Sequence, residues 1–266
     1  MLCADAGVSR SAITQTVIGS PGVYDERRNA MKLSGHLPGW DRPAALAGLR
    51  EAFGPSLVME NDVDAAALAE RSLGHGRDVE HFAFVHFGSG IGLGLVIGGQ
   101  LVRGAHGVAG EIAYLPLSGG AGAGEHIDEH EARKRGTFEA AAAASSVVRA
   151  ARRAGMRGAL SARRVFEAAA AGDARAVAVV AEEARLAAKA ICVVVTVVDP
   201  ELIVLGGGIG RAPGFAGLVA VELEQIAPVM PDIKVSALGT DAVVDGCLAA
   251  GAELAWAQVM AALGAQ

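Results

Sequence analysis

Three groups of residues in this chain have the types and spacing to do chemistry on a hydroxylated or phosphorylated ligand. Glu60-Asn61-Asp62 stands where a short apolar run gives way to an Ala/Leu run. That is the end of a strand and the start of a helix, where α/β folds present ligand-binding groups. Asn and Asp are also favoured helix N-caps, because their side chains satisfy the orphan amides of the first turn. On the functional reading, Asp62 accepts the proton of a substrate hydroxyl and Asn61 adds a neighbouring hydrogen bond. A helix N-terminus favours the ionised carboxylate, which makes Asp62 a better acceptor than a base tuned near neutrality.

The turn Gly88-Ser89-Gly90-Ile91-Gly92, with Gly94 just beyond, suits a phosphate. Glycine lets backbone N–H groups close on the oxygens with no side chain in the way. No GxxxxGK[ST] is present, so this is not a P-loop, and a dinucleotide fold would place a helix after the glycines. Gly206-Gly207-Gly208-Ile209-Gly210 does follow a strand and precede a helix; it can approach a nucleotide, although many α/β turns read alike. Glu111 ends the loop Gly104-Ala105-His106-Gly107-Val108-Ala109-Gly110, and Glu139 opens a helix after Gly136-Thr137-Phe138. Singly, each glutamate reads as solvated surface. Together with Asn61 and Asp62 they form a set of acceptors for sugar hydroxyls, provided the fold brings them together.

Those groups need strands to carry them. Strands are expected at 13–20, 56–59, 81–87, 93–97, 201–205 and 235–238, the pair 81–87 and 93–97 forming a hairpin around the glycine turn. Helices are expected at 43–53, from Asp62 to about Leu73, at 137–154, 161–171 and 173–198 with Asp173 as N-cap, from about Pro213, and at 245–263 with Trp256 on it. Residues 118–124, rich in Gly, Ala and Ser, read as a mobile link. Strand, glycine turn and helix recur three times, which points to α/β architecture.

The 266 residues are 52% hydrophobic and carry 23 Lys and Arg against 29 Asp and Glu, a net charge of −6. No uninterrupted apolar stretch approaches the roughly 18–20 residues of a membrane span, and the amino terminus lacks the basic start and apolar core of a secretory signal. A cytoplasmic setting is expected, with no membrane partner. Cys3, Cys192 and Cys247 stand far apart, leaving no disulfide framework or thiolate metal cluster. The acidic balance argues against nucleic acid as a partner of this segment. Two features imitate DNA binding: residues 6–14 resemble part of a helix-turn-helix without a preceding helix, and arginines 149, 152, 153, 157, 163 and 164 read as a solvated face.

Taken in order, Ser20-Pro21-Gly22-Val23, Leu37-Pro38-Gly39-Trp40-Asp41, Glu60-Asn61-Asp62-Val63-Asp64, Gly88 through Gly94, Gly104 through Ile112 and Asp199-Pro200-Glu201-Leu202-Ile203-Val204-Leu205-Gly206-Gly207-Gly208 resemble the ROK family of repressors and sugar kinases. The resemblance runs from about residue 13 to 255. It implies an actin-like, ribonuclease-H-like two-lobed α/β fold with sugar and nucleotide in the cleft. It gives Asp62 the role of general base, places Asn61, Glu111 and Glu139 on sugar hydroxyls, Gly88, Ser89, Gly90 and Gly92 by the ATP phosphates, and Gly206, Gly207 and Gly208 near the adenosine. ATP with Mg²⁺ would be the cosubstrate of a kinase.

Three departures shape the expectation. The family's amino-terminal Asp-x-Gly-Gly-Thr phosphate loop is not in this sequence, which begins after the place where it belongs, so the amino-terminal lobe is expected to be incomplete. Tyr114 replaces a histidine that in relatives joins a structural zinc site and touches sugar, and 119–137 holds no cysteine; zinc is not expected. Glu111-Ile112-Ala113-Tyr114-Leu115-Pro116-Leu117 and Leu37-Pro38-Gly39-Trp40-Asp41 look more like the family's regulators than its kinases. The leading expectation is therefore the sugar-sensing domain of a transcription regulator that would reach DNA only through a helix-turn-helix outside this sequence, without kinase activity in this form. The alternative is an ATP-dependent sugar kinase. The expected lobes are 1–68 and 69–244, with 245–266 packing back on the first, and the resemblance implies a homodimer.

Overall fold

The computed structural model describes residues 2–25, 28–33, 37–117 and 129–264. The expected mobile link, 118–124, lies outside the described residues. In chain order the elements are α1 (Leu2–Asp5), β1 (Thr16–Ser20), β2 (Val23–Asp25), β3 (Ala30–Lys32), α2 (Pro43–Phe53), β4 (Leu57–Asn61), α3 (Asp62–Leu73), β5 (Phe82–Phe87), β6 (Ile91–Ile97) and β7 (Gln100–Leu101). There follow α4 (Glu129–Arg135), α5 (Thr137–Ala142), α6 (Ala144–Arg153), α7 (Ala162–Ala170), α8 (Ala174–Val198), β8 (Leu202–Gly206), the single turn α9 (Gly207–Gly210), α10 (Phe215–Glu224), β9 (Asp232–Val235) and α11 (Ala242–Gly264).

A five-stranded sheet in the order β7-β6-β5-β8-β9 forms the centre. Strands β5, β8 and β9 run parallel, and β6 pairs antiparallel with β5, His86 standing opposite Gly92 on β6 and opposite Gly206 on β8. The alternation Phe-Ala-Phe-Val-His-Phe along β5 decides what lies on each face. Ala83, Val85 and Phe87 enter a large core with α5, α6, α7, α8 and α10, where Phe87 meets the rings of Phe138 and Phe215 edge to face at 6.3 Å each. Phe82 and Phe84 point the other way, into a smaller core with Val96, Leu202, Val204 and the alanines of α3. His86 continues that second series at the carboxyl end of the strand, where it leaves the core. A separate parallel pair, β1 and β4, aligns Ser20 with Asn61.

Several boundaries follow local chemistry. Asp173 caps α8, accepting from the N–H groups of Arg175 and Ala176 at 2.9 and 3.4 Å, and Asp199 ends it in the left-handed conformation. The helix expected over 137–154 is two helices that break at Ala143. The last strand spans Asp232–Val235 rather than 235–238; its Asp-Ile-Lys-Val pairs with β8 on one side only, and a polar edge strand carries little apolar signal. The hairpin β2–β3 was not expected, because strands of three residues are too short to show a period. Residues 6–14 form a turn, a single 3-10 turn at Arg10–Ala12 and extended chain, with no recognition helix among them.

Helix α11 has the length and hydropathy of a membrane span. It packs against α3 and β1, and Glu253 on it pairs with Arg71 on α3. The contact is close because both helices present small residues: a Cβ on Gly246 would overlap the carbonyl oxygen of Ala65. On the opposite side of α3, a Cβ on Gly94 of β6 would stand 2.8 Å from the carbonyl oxygen of Val63. Replacing Gly246 by Ala is expected to cost about 1–3 kcal/mol through overpacking. Gly251→Ala, whose Cβ would meet only Val17 Cγ2 at 3.5 Å, is expected to be neutral or to gain up to about 1 kcal/mol in helix propensity. Urea unfolding of the two variants measures this, and equal midpoints would contradict the packing described.

Candidate functional site

The carboxyl ends of β4, β5 and β8, the amino end of α3 and the loop before Tyr114 surround a cleft of about 580 Å³. Asn61, Asp62, Glu111, Tyr114 and Glu139 all line it, together with Ser89, Gly90, Gly92, Gly207 and Gly208. Gly88 and Gly206 do not. Both are buried behind the wall, and Gly206 must lack a side chain because the Phe84 ring fills the space a Cβ would take.

Each acidic group is held by a local device. Asn61 is the N-cap of α3: its Oδ1 accepts from the N–H of Val63 at 2.8 Å and of Asp64 at 3.1 Å, while Nδ2 donates to the carbonyl of Gly22 at 3.1 Å. The capping reading is therefore correct for Asn61, and its amide also ties β4 to the turn after β1. Asp62 follows as the first residue of the helix, in the positive field of its amino end. Glu111 is placed by the glycine before it. Gly110 has φ +89°, and a Cβ there would overlap the carbonyl oxygen of Leu93, so only glycine lets the loop close on β6, where the Leu93 N–H donates to the Gly110 carbonyl at 3.1 Å.

Glu139 is 3% exposed. Its Oε2 accepts from the N–H of Ile91 at 2.8 Å, and its Oε1 accepts from Nε of Arg135 at 2.7 Å. Arg135 also donates from Nη2 to the carbonyl of Ser89 at 2.9 Å. One guanidinium thus joins the buried glutamate to the glycine turn. Gly136, at φ +92°, lets that junction lie against Ala113 and Tyr114, where any Cβ would overlap the Ala113 carbonyl oxygen. Tyr114 is 40% exposed, with its hydroxyl 3.5 Å from the carbonyl of Lys134.

The carboxylates perturb one another. Burial, then the charges of Asp62 and Glu139, pushes Glu111 up to about 7. Asp64, in the first turn of α3 and 6% exposed, is pushed up to about 8 by burial and then by Glu60, although Arg103 opposes the rise. Glu60 itself is matched by Arg103, which donates from Nη2 at 2.5 Å and Nε at 3.3 Å. Such spreading of acid strengths over one cleft is what acid–base and hydroxyl-binding chemistry requires. Among the described residues, no group of three or more His, Cys, Asp or Glu is arranged to hold a metal ion.

Sequence reasoning did not single out His86, Asp64, Arg135, Lys134 or Arg211, which also line the cleft. His86 had a readable signal: a polar ring where Phe82 and Phe84 set the parity, two residues before the glycine turn. Arg135 had one too, four residues before Glu139 at helical spacing. Asp64 could be found only by knowing which face of α3 meets β6.

A raised carboxyl is protonated in the folded chain while ionised in the unfolded one, so the folded state binds more protons and stability falls as pH rises from about 4 through about 8. Asp64→Asn is expected to remove that contribution, making the fall shallower by up to about 1.4 kcal/mol per pH unit between pH 5 and 8. Unfolding free energies at several pH values test this; parallel curves for both proteins would contradict the burial of Asp64.

Comparison with known proteins agrees with the geometry. The chain is 37% identical over 198 residues to the bifunctional enzyme NanE/NanK of Brucella suis, a match covering 73% of this chain and 34% of that protein. The chain thus spans about a third of that relative's length. Among solved structures it is similar to the ROK hexokinase of Thermus thermophilus, with a TM-score of 0.74 and 31% identity over 92% of this chain and 80% of that one. A ROK family transcriptional regulator homologous to the Escherichia coli MLC protein has the same fold, with a TM-score of 0.73 at 23% identity over 93% of this chain and 64% of that one. These likenesses carry the actin-like α/β fold of the ROK sugar kinases over to this chain. The ROK family matches residues 3–256, and with the strand ends, glycine turns and carboxylates of that match lining one cleft, the chain belongs to the ROK family.

Proposed function

We propose that this chain provides the sugar- and nucleotide-binding cleft of an ATP-dependent sugar kinase. The observation that supports the reading is the convergence of Asn61, Asp62, Glu111 and Glu139 with both glycine turns on one cleft. A binding domain needs acceptors for hydroxyls; a carboxylate at the amino end of a helix, facing a phosphate-sized glycine turn, adds what transfer requires. Likeness to the Thermus hexokinase at 31% identity supports it further and favours the kinase over the regulator expected first.

On this reading, Asn61, Glu111 and Glu139 hold the sugar through its hydroxyls, and Asp62 accepts the proton of the hydroxyl that attacks the terminal phosphorus. The new bond is from that oxygen to phosphorus, the bond to the leaving ADP oxygen breaks, and the proton rests on Asp62. Glu111, half ionised near pH 7, can accept from one hydroxyl or donate to another, and a bound sugar selects between the two. Mg²⁺ would neutralise phosphate charge; the described residues form no cage for it, so it would come with the nucleotide. The domain boundaries at 68 and 244, the homodimer and the cytoplasmic setting belong to the same proposal.

The regulator reading keeps one support of its own, Tyr114, which lines the cleft where the family resemblance leads one to expect a histidine. Incubation of the chain with ATP and a panel of hexoses and N-acetylhexosamines separates the two. The expected result is transfer of phosphate to at least one sugar, reduced about 10²- to 10⁴-fold in Asp62→Asn, with sugar affinity by calorimetry changed less than about tenfold. Sugar binding without turnover in the unsubstituted chain would overturn the kinase reading in favour of the sensor.

A further inference from the structure

His86 lines the cleft, yet none of the chemistry above uses it. Strand alternation puts its ring on the α3 side of the sheet, past the Phe82 and Phe84 core and into the cleft. The ring lies close to both glycine turns. A Cβ built on Gly88, at the start of the first glycine turn, would lie 2.7 Å from His86 Nε2, and one built on Gly207, at the second, would lie 3.0 Å from the same nitrogen. Nε2 therefore stands between the two turns, in space that only glycine at both positions leaves open. The backbone N–H of Gly208 borders the same space, 3.6 Å from the Gly88 Cβ position.

Among the described residues the ring makes no hydrogen bond; what acts on it are charges. Burial holds the imidazole below its ordinary value, while Asp62 from α3 and Glu139 from α5 oppose that shift. The strands and turn beside it present glycines, Gly92 on β6, Gly206 on β8, and Gly207 and Gly208 on α9, while the cations lining the same cleft are Arg135, bonded to the Ser89 carbonyl, Lys134, and Arg211 at the end of α9. An imidazole set between two glycine turns, with no hydrogen-bond partner among the described residues, fits an oxyanion.

We propose that His86 is a phosphate-binding residue, its imidazole Nε2 contacting an oxygen of a polyphosphate lodged between the Ser89–Gly90 turn and Gly207–Gly208. Only the identity of that polyphosphate as ATP rests on the kinase reading. The contact does two things. As a neutral ring it donates one hydrogen bond; as the phosphate's charge approaches it favours the imidazolium, adding a positive charge beside the amides of the two turns. Phosphate binding and ring protonation then favour each other, and affinity for the anion rises as pH falls.

The test is NMR of the full chain with labelled histidine, the His86 ring assigned with His86→Gln, while tripolyphosphate, ATP and adenosine are added separately. Tripolyphosphate and ATP are expected to move the ring signals and raise the pH midpoint of the ring, and adenosine to leave both unchanged. Calorimetry is expected to show ATP binding about tenfold weaker in His86→Ala, with a smaller loss in His86→Gln, which keeps a donor. ATP binding with no ring response overturns the role of His86 and leaves the kinase reading standing. A response to tripolyphosphate without ATP binding supports His86 and overturns the kinase reading. No response and no binding overturns both.

Discussion

Helix α3 is wedged between a sheet and a second helix with no room for another methyl group, and the cleft depends on that fit. Gly94 on one side and Gly246 on the other bring β6 and α11 against its backbone, and Ala65, Ala66, Ala67 and Ala69 fill the remaining space. Close packing of this kind transmits position rather than absorbing it. The amino end of the helix, with Asn61 as cap and Asp62 just inside, is therefore fixed relative to the strand ends that carry the glycine turns.

The second constraint is electrostatic. Five carboxyl groups, from Glu60, Asp62, Asp64, Glu111 and Glu139, gather around one end of the sheet, and they cannot all ionise cheaply at such short range. The chain distributes the problem. Arg103 compensates Glu60, Arg135 compensates Glu139, and Glu111 and Asp64 take up protons instead, at about 7 and about 8. Asp62 keeps the helix amino end. The same acidic surroundings oppose the effect of burial on His86, so the imidazole can answer an incoming phosphate without an aspartate at its side being sacrificed.

The groups most legible in the sequence were those whose chemistry is local. Asn61 sits at a cap because its side chain satisfies two amides of its own helix, and Gly110 and Gly136 stand where a Cβ would meet backbone; such requirements are written in single residues and short spacings. Long apolar helices such as α8 were legible for the same reason, with a capping aspartate at the start. What escaped depends on partners distant in sequence. Strand β9 is a strand because β8 offers it an edge, not because Asp-Ile-Lys-Val is apolar. Gly92 and Gly94 read as part of a phosphate turn, yet they lie within β6, and Gly94 is glycine because α3 lies on it. His86 and Asp64 reach the cleft only through the parity of β5 and the rotation of α3, which no short window reveals.

The central claim is that sugar, attacking hydroxyl and phosphate share this one cleft. A crystal structure of the chain with a hexose and a non-hydrolysable ATP analogue tests it directly. The account predicts a sugar hydroxyl within hydrogen-bond distance of the Asp62 carboxylate, other hydroxyls on Asn61, Glu111 and Glu139, and the terminal phosphate between Ser89–Gly90 and Gly207–Gly208. A sugar held away from Asp62, or a nucleotide whose phosphates avoid both glycine turns, would contradict it.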